Sequence, residues 1–250
     1  MAPRTPASRR PARKPAHRYH HGNLRPALIH EAVITIRDRG VEALTLRGIG
    51  RTLGVSRTAL YRHFADKSAL LAAVAREGFQ RFRRELLEAW NAAGRGGAGL
   101  DAMGIAYVRF AITNPSHYRV MFGRFEELRR RDPDLQADAA AAFQVLVDAL
   151  DALQRTGDVQ SEDLSQLARF IWAMVHGVAM LTIDGQLGTD PAAADTLIRF
   201  AMDRVHRGLG GSAISTCRTP ARSSVPAIPQ APSASTAAAA HTRARGTPRT

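Results

Sequence analysis

Apolar residues recur at steps of three and four along most of the chain, the period of a helix with one buried stripe. Over residues 24–39, Leu28, Ala32 and Ile36 step by four, Ile29 and Val33 widen the stripe, and Gly40 closes the helix. Two shorter helices follow within 45–64. Thr45 is a natural N-cap, Leu46, Ile49 and Leu53 form one inward side, and Gly54 ends the first of the pair by entering a left-handed turn. Val55 plugs the turn, Ser56 caps the second helix, and Leu60 and Phe64 face inward. Arg57, Thr58, Ala59, Tyr61, Arg62 and His63 are left facing out, with no acid among them. Gly48 and Gly50 sit inside the first short helix and each costs roughly 1 kcal/mol relative to alanine, with a close helix contact as the expected reason for Gly50.

Asp66 opens a long helix to about residue 90, with Leu71, Val74, Phe82 and Leu86 inward and Lys67 in its first turn. Further helical patterns cover 100–114 (Met103, Tyr107, Phe110, Ala111), an aromatic piece at 116–125 (Tyr118, Phe122, Phe125) and 133–156 (Ala139, Phe143, Leu146, Leu150, Leu153). Two last helices are expected at 161–184 and 191–209, the second started by Asp190-Pro191. Trp172 and His176 share a face, and Gly177 is expected to admit a neighbouring backbone. No period-two alternation appears, so the fold class is all-α, with an N-terminal helix-turn-helix domain and a C-terminal helical domain between disordered termini.

Charge divides the chain in the same places. The net charge is +13 overall: +6 in residues 1–22, +6 in 23–85, −4 in 86–210 and +5 in 211–250. Residues 1–22 read as a basic arm, 23–85 as a DNA-binding domain, 86–210 as a body that does not bind DNA (a regulatory and dimerisation domain on the resemblance given next), and 211–250 as a basic tail too rich in Pro, Gly, Ala, Ser and Thr to bury a core. Either basic terminus could add affinity for phosphates.

The stretch 45–67, with 24–40 before it and 66–74 after it, resembles the DNA-binding domain of TetR-family transcriptional regulators. Leu44-Thr45, Leu53-Gly54-Val55-Ser56, Leu60-Tyr61-Arg62-His63-Phe64 and Asp66-Lys67 carry the match. Trp172…His176-Gly177 resembles the regulatory domain of a branch of that family named for those residue types (WHG-type), and 19–24 resembles the lead-in of one branch. The resemblance implies a cytoplasmic homodimer paired through the last two helices, a palindromic double-stranded DNA operator, and a small-molecule effector of unknown identity. It also implies a regulator, most often a repressor, and not an enzyme. Candidate DNA contacts are Thr45, Arg47, Ser56, Arg57, Thr58, Ala59, Tyr61, Arg62, His63 and Lys67, with Arg57, Thr58 and Tyr61 nearest the bases and Thr45, Arg62, His63 and Lys67 at phosphates. Candidate effector contacts are Met103, Tyr107, Phe110, Phe122, Phe143, Trp172 and His176, with Tyr107 and His176 as polar anchors.

Other chemistries find less support. No metal, cofactor or catalytic motif stands in context; His17, His20 and His21 lack a cysteine or carboxylate to complete a shell. Residues 94–99 spell GRGGAG, but a helix precedes them and no strand does, so they read as a flexible loop and not a nucleotide site. Cys217 stands alone, and the longest apolar segment, 171–183, falls short of a membrane span and holds His176. The competing reading is a non-specific architectural DNA-binding protein. It suits the basic termini and leaves the acidic body unexplained.

Overall fold

In the computed structural model, residues 24–123, 128, 132–188 and 190–209 are described. The basic arm 1–22 with its histidines, Phe125, Cys217 and the tail from 211 lie outside the described residues.

Every described element is helical. Helix α1 is Leu24–Arg39, and a single 3-10 turn, Val41–Ala43, leads into α2 (Leu46–Thr52) and α3 (Arg57–His63). Then come α4 (Lys67–Ala92), α5 (Gly96–Thr113), α6 (Pro115–Phe122), α7 (Pro133–Thr156), α8 (Leu164–Ile183) and α9 (Pro191–Leu209). The described residues belong to one compact unit.

Caps explain most boundaries. Thr45 Oγ1 accepts from Gly48 N at 3.1 Å, Ser56 Oγ from Ala59 N at 3.2 Å, and Asp66 Oδ1 from Ala69 N at 2.8 Å. Gly40, Gly54 and Gly157 take positive φ at the ends expected of them. Helix α8 starts later than residue 161, because the carboxylate of Asp163 accepts from Ser165 and Gln166 and sets the cap there.

The glycine-rich stretch corrects one expectation. It is a loop only through its first half: Gly94, Arg95 and Gly96 turn with positive φ, and α5 begins at Gly96. Gly99 lies so close to Trp90 that a Cβ would stand 2.6 Å from its Cε3. The run of small residues therefore lets α5 fold back onto α4 over the indole.

Helix α4 is the shared strut. It packs against α1 on the head side and against α5, α6 and α7 in the body. Val74 and Leu70 are fully buried, as are Leu28 and Ala32 on α1. Arg76 of α4 ties down the start of α7, reaching Asp134 at 2.7 Å and Asp138 at 3.1 Å. Helix α8 is long and apolar enough to cross a membrane by length and composition alone, with a mean hydropathy of 1.3 over its best window. It packs on α5, α7 and α9 through Leu167, Ile171, Val175 and Ala179 and leaves its other side open.

Candidate DNA-binding face and effector cavity

The reading head is held by few side chains. Leu60 and Phe64 are buried under α3, and Ile49 and Leu46 under α2. Gly50 is where the two helices meet: a Cβ there would stand 2.9 Å from Leu60 Cδ1. Its helix-propensity cost is offset by that close approach, as the sequence suggested. Gly48, whose N–H meets the Thr45 hydroxyl, has the Oγ1 of Thr45 2.8 Å from its ideal Cβ position.

The outer side of α3 presents Arg57, Thr58, Tyr61, Arg62 and His63 to solvent, with Ala59 half-buried between them. The Arg57 guanidinium lies 5.6 Å from the centroid of the Tyr61 ring, so two neighbouring side chains are stacked before any partner arrives. Thr45, Arg47 and Ser56 are exposed, and Lys67 is half-buried in the first turn of α4. Among the described residues none of Arg47, Arg57, Arg62 or Lys67 is engaged by a carboxylate. Arg51, overlooked in the sequence, is exposed on α2 as well. Uncompensated positive charge on one helical edge is suited to phosphates, and a protruding helix to a major groove.

The body holds a cavity of about 280 Å3. Helix α4 supplies Phe79, Phe82 and Leu86, and α7 supplies Ala139 and Phe143. Met103 and Tyr107 of α5, Phe122 of α6 and Trp172 of α8 complete most of the wall. Of the seven residues singled out in the sequence, Met103, Tyr107, Phe122, Phe143 and Trp172 line this space. Phe110 lies behind it, tilted against Phe82 at 5.0 Å, and His176 stands behind Tyr107 and Phe122.

The polar atoms at this wall are bonded to one another. Trp172 Nε1–H donates to the Tyr107 hydroxyl at 3.1 Å. The hydroxyls of Tyr118 and Tyr107 are 3.1 Å apart, and Tyr118 Oη lies 2.7 Å from His176 Nδ1. Tyr107 Oη also lies 3.1 Å from that nitrogen. Burial pushes both phenols up, so they stay protonated, and burial lowers His176, so its ring stays neutral. A neutral imidazole pairs with a phenol at Nδ1, as acceptor or donor according to its tautomer. Tyr118, an unassigned member of the aromatic piece in the sequence, is thus the centre of the network. Arg169, three residues before Trp172, also lines the cavity and had no signal in the sequence beyond that spacing.

Among the described residues nothing comes within 4 Å of the position a Gly177 Cβ would occupy, so none of this chain's described helices is the neighbouring backbone expected there. Among the described residues no group of three or more His, Cys, Asp or Glu is placed to hold a metal.

Comparison with known proteins bears on both regions. Residues 28–74 match the family model described as bacterial regulatory proteins of the tetR family, and residues 100–205 match that of the tetracyclin repressor-like C-terminal domain. An HTH-type transcriptional regulator of Mycobacterium tuberculosis is 25% identical over 181 residues, spanning 61% of this chain and 77% of that protein. The class C tetracycline repressor protein of Escherichia coli is 47% identical over 51 residues, 20% of this chain and 23% of its own. Among solved structures, a protein of unknown function from Rhodococcus sp. RHA1 superposes with a TM-score of 0.70 at 33% identity, covering 78% of this chain and all of that one.

Proposed function

The chain belongs to the TetR family of transcriptional regulators, and from that membership we propose a homodimeric repressor that releases a palindromic operator when a small molecule fills the cavity. DNA binding and transcriptional regulation come with the family. The observation that carries the finer reading is the outer face of α3, basic, exposed and unpaired. A short recognition helix reads only a few base pairs, so useful specificity requires two heads related by a two-fold axis.

The last two helices supply a surface for that pairing. Phe170 and Leu181 of α8 are 60% and 40% exposed, and Phe200 of α9 is 55% exposed. Met174 and Gly177 lie between Phe170 and Leu181 at the four-then-three spacing of one helical stripe. Gly177, without a neighbour inside the chain, is where a second copy's helix could approach closely. A second copy on this stripe would bury the apolar residues that the chain leaves open.

The cavity and the head share α4. Phe79, Phe82 and Leu86 wall the cavity, while Lys67 and the Asp66 cap lie at the DNA end of the same helix. A ligand acts as a switch only through a difference in affinity between two head spacings, and α4 is the element whose tilt would carry that difference. A regulator of chromosomal DNA works in the cytoplasm. Selection of bound duplexes from a random DNA pool tests the reading. An inverted repeat is expected; recovery of unrelated sequences with equal affinity would replace it with non-specific coating of DNA.

A further inference from the structure

We propose that the effector is an amphipathic anion: an apolar body enclosed by the aromatic cavity, and a carboxylate or similar group at its solvent end held by Arg169. The proposal rests on the cavity being the effector site. It follows from which polar groups the wall has left to offer.

The inner wall is already satisfied. The indole N–H of Trp172 is spent on Tyr107, and the Tyr107 hydroxyl is occupied by Trp172, Tyr118 and His176. A buried ligand group that needed a donor or acceptor there would have to break this network, leaving one of its members unpaired in an apolar surrounding. Tyr107 and His176 therefore hold each other and do not anchor a ligand. What the interior does present is ring faces and edges. Phe82 and Tyr107 meet edge-on at 4.9 Å, and Phe143 and Trp172 at 6.0 Å. Such a lining favours hydrocarbon, saturated or aromatic.

The outer end differs. Of the described residues lining the cavity Arg169 alone carries a charge, and no acid stands among them. Arg169 is exposed, and no described carboxylate lies within ion-pair distance of it. An arginine with no carboxylate partner among the described residues, lining an apolar cavity, selects a planar anion and repels a cation. At about 30 Å3 per water-sized group, 280 Å3 holds on the order of ten non-hydrogen groups, so the body is a medium-length chain or one to two rings.

The test uses the full-length protein and three probes with the same ten-carbon chain: decanoate, decanol and decylamine, each below its aggregation limit. Tryptophan fluorescence reports binding, since Trp172 is in the wall. Decanoate is expected to bind most tightly and decylamine least. Arg169→Gln should weaken decanoate about fivefold, the scale of a partly exposed ion pair, and leave decanol unchanged. Ala139→Phe, which fills the cavity, should abolish all three, with a thermal melt to show that the variant folds and Ala139→Leu as the milder substitution. If decanol matches decanoate, or Arg169→Gln weakens both alike, while Ala139→Phe still blocks binding, the anion falls and the cavity reading stands. Binding that survives Ala139→Phe removes the cavity reading as well. Failure of all three probes to bind overturns the proposal.

Discussion

The hydroxyl of Tyr118 lies 2.7 Å from Nδ1 of His176, a hydrogen bond between a phenol and a neutral imidazole. Burial depresses His176 below its ordinary value of 6.5, and the phenols it touches, Tyr107 and Tyr118, are held neutral by burial too. The unfolded chain takes up this proton at about 6.5 and the folded chain only at lower pH. The stability tied to a neutral His176 is therefore present above about 6.5 and is lost as pH falls from there through the folded value. Denaturant midpoints measured across this range should drop on acidification. His176→Asn, which keeps an acceptor on a short side chain and cannot titrate, should show a shallower fall.

Gly50 and Gly48 make opposite demands on the reading head. Gly50→Ala drives a methyl against Leu60, an overpacking cost of about 1–3 kcal/mol that outweighs roughly 1 kcal/mol gained in helix propensity. Leu60→Val in the same chain should recover part of the loss. Gly48→Ala displaces the Thr45 hydroxyl from its cap, so a loss of about 1 kcal/mol nearly cancels a similar propensity gain. Thermal denaturation of the single and double variants checks both statements. A Gly50→Ala protein more stable than wild type would show that α2 and α3 can separate at no cost.

Arg57, stacked on Tyr61, is the proposed base-edge contact. Arg57→Ala should cost about 1–3 kcal/mol on the selected operator and relax preference at one base pair of each half-site. Lys67→Ala should weaken operator and random DNA alike and flatten the salt dependence. Gel shifts over a salt series distinguish them, and an equal loss on both DNAs for Arg57→Ala would make it a phosphate ligand.

Phe170 and Phe200 are large, apolar and more than half exposed. Replacing both with glutamate should leave helical content unchanged, because neither packs within the chain's own core. The same change should convert a dimer to a monomer in sedimentation and abolish high-affinity operator binding. A dimer that persists would move the pairing surface off α8 and α9.

The helices themselves were legible in the sequence because their signals are local. Thr45, Ser56 and Asp66 cap the elements they precede, Gly54 and Gly157 end theirs, and the four-step stripe of Leu28, Ala32 and Ile36 is the buried side of α1. Each depends on neighbours a few residues away, so spacing alone reveals it. The outward face of α3 was legible for the same reason: fixing Leu60 and Phe64 inward fixes Arg57, Tyr61 and Arg62 outward.

Contacts between distant segments were decided by tertiary structure. Tyr107, Tyr118, Trp172 and His176 come from three helices and meet only when α5, α6 and α8 pack, which hydrogen-bonds two expected ligand anchors, Tyr107 and His176, to each other. Among the described residues the same packing leaves Arg169 as the charged residue at the cavity, folds the glycine-rich stretch over Trp90, and places nothing against Gly177. Local sequence determined which side of each helix is apolar, since that depends only on helical period. Which apolar sides meet, and which polar atoms are consumed in meeting, depends on segments as much as 86 residues apart, and only the folded chain settles it.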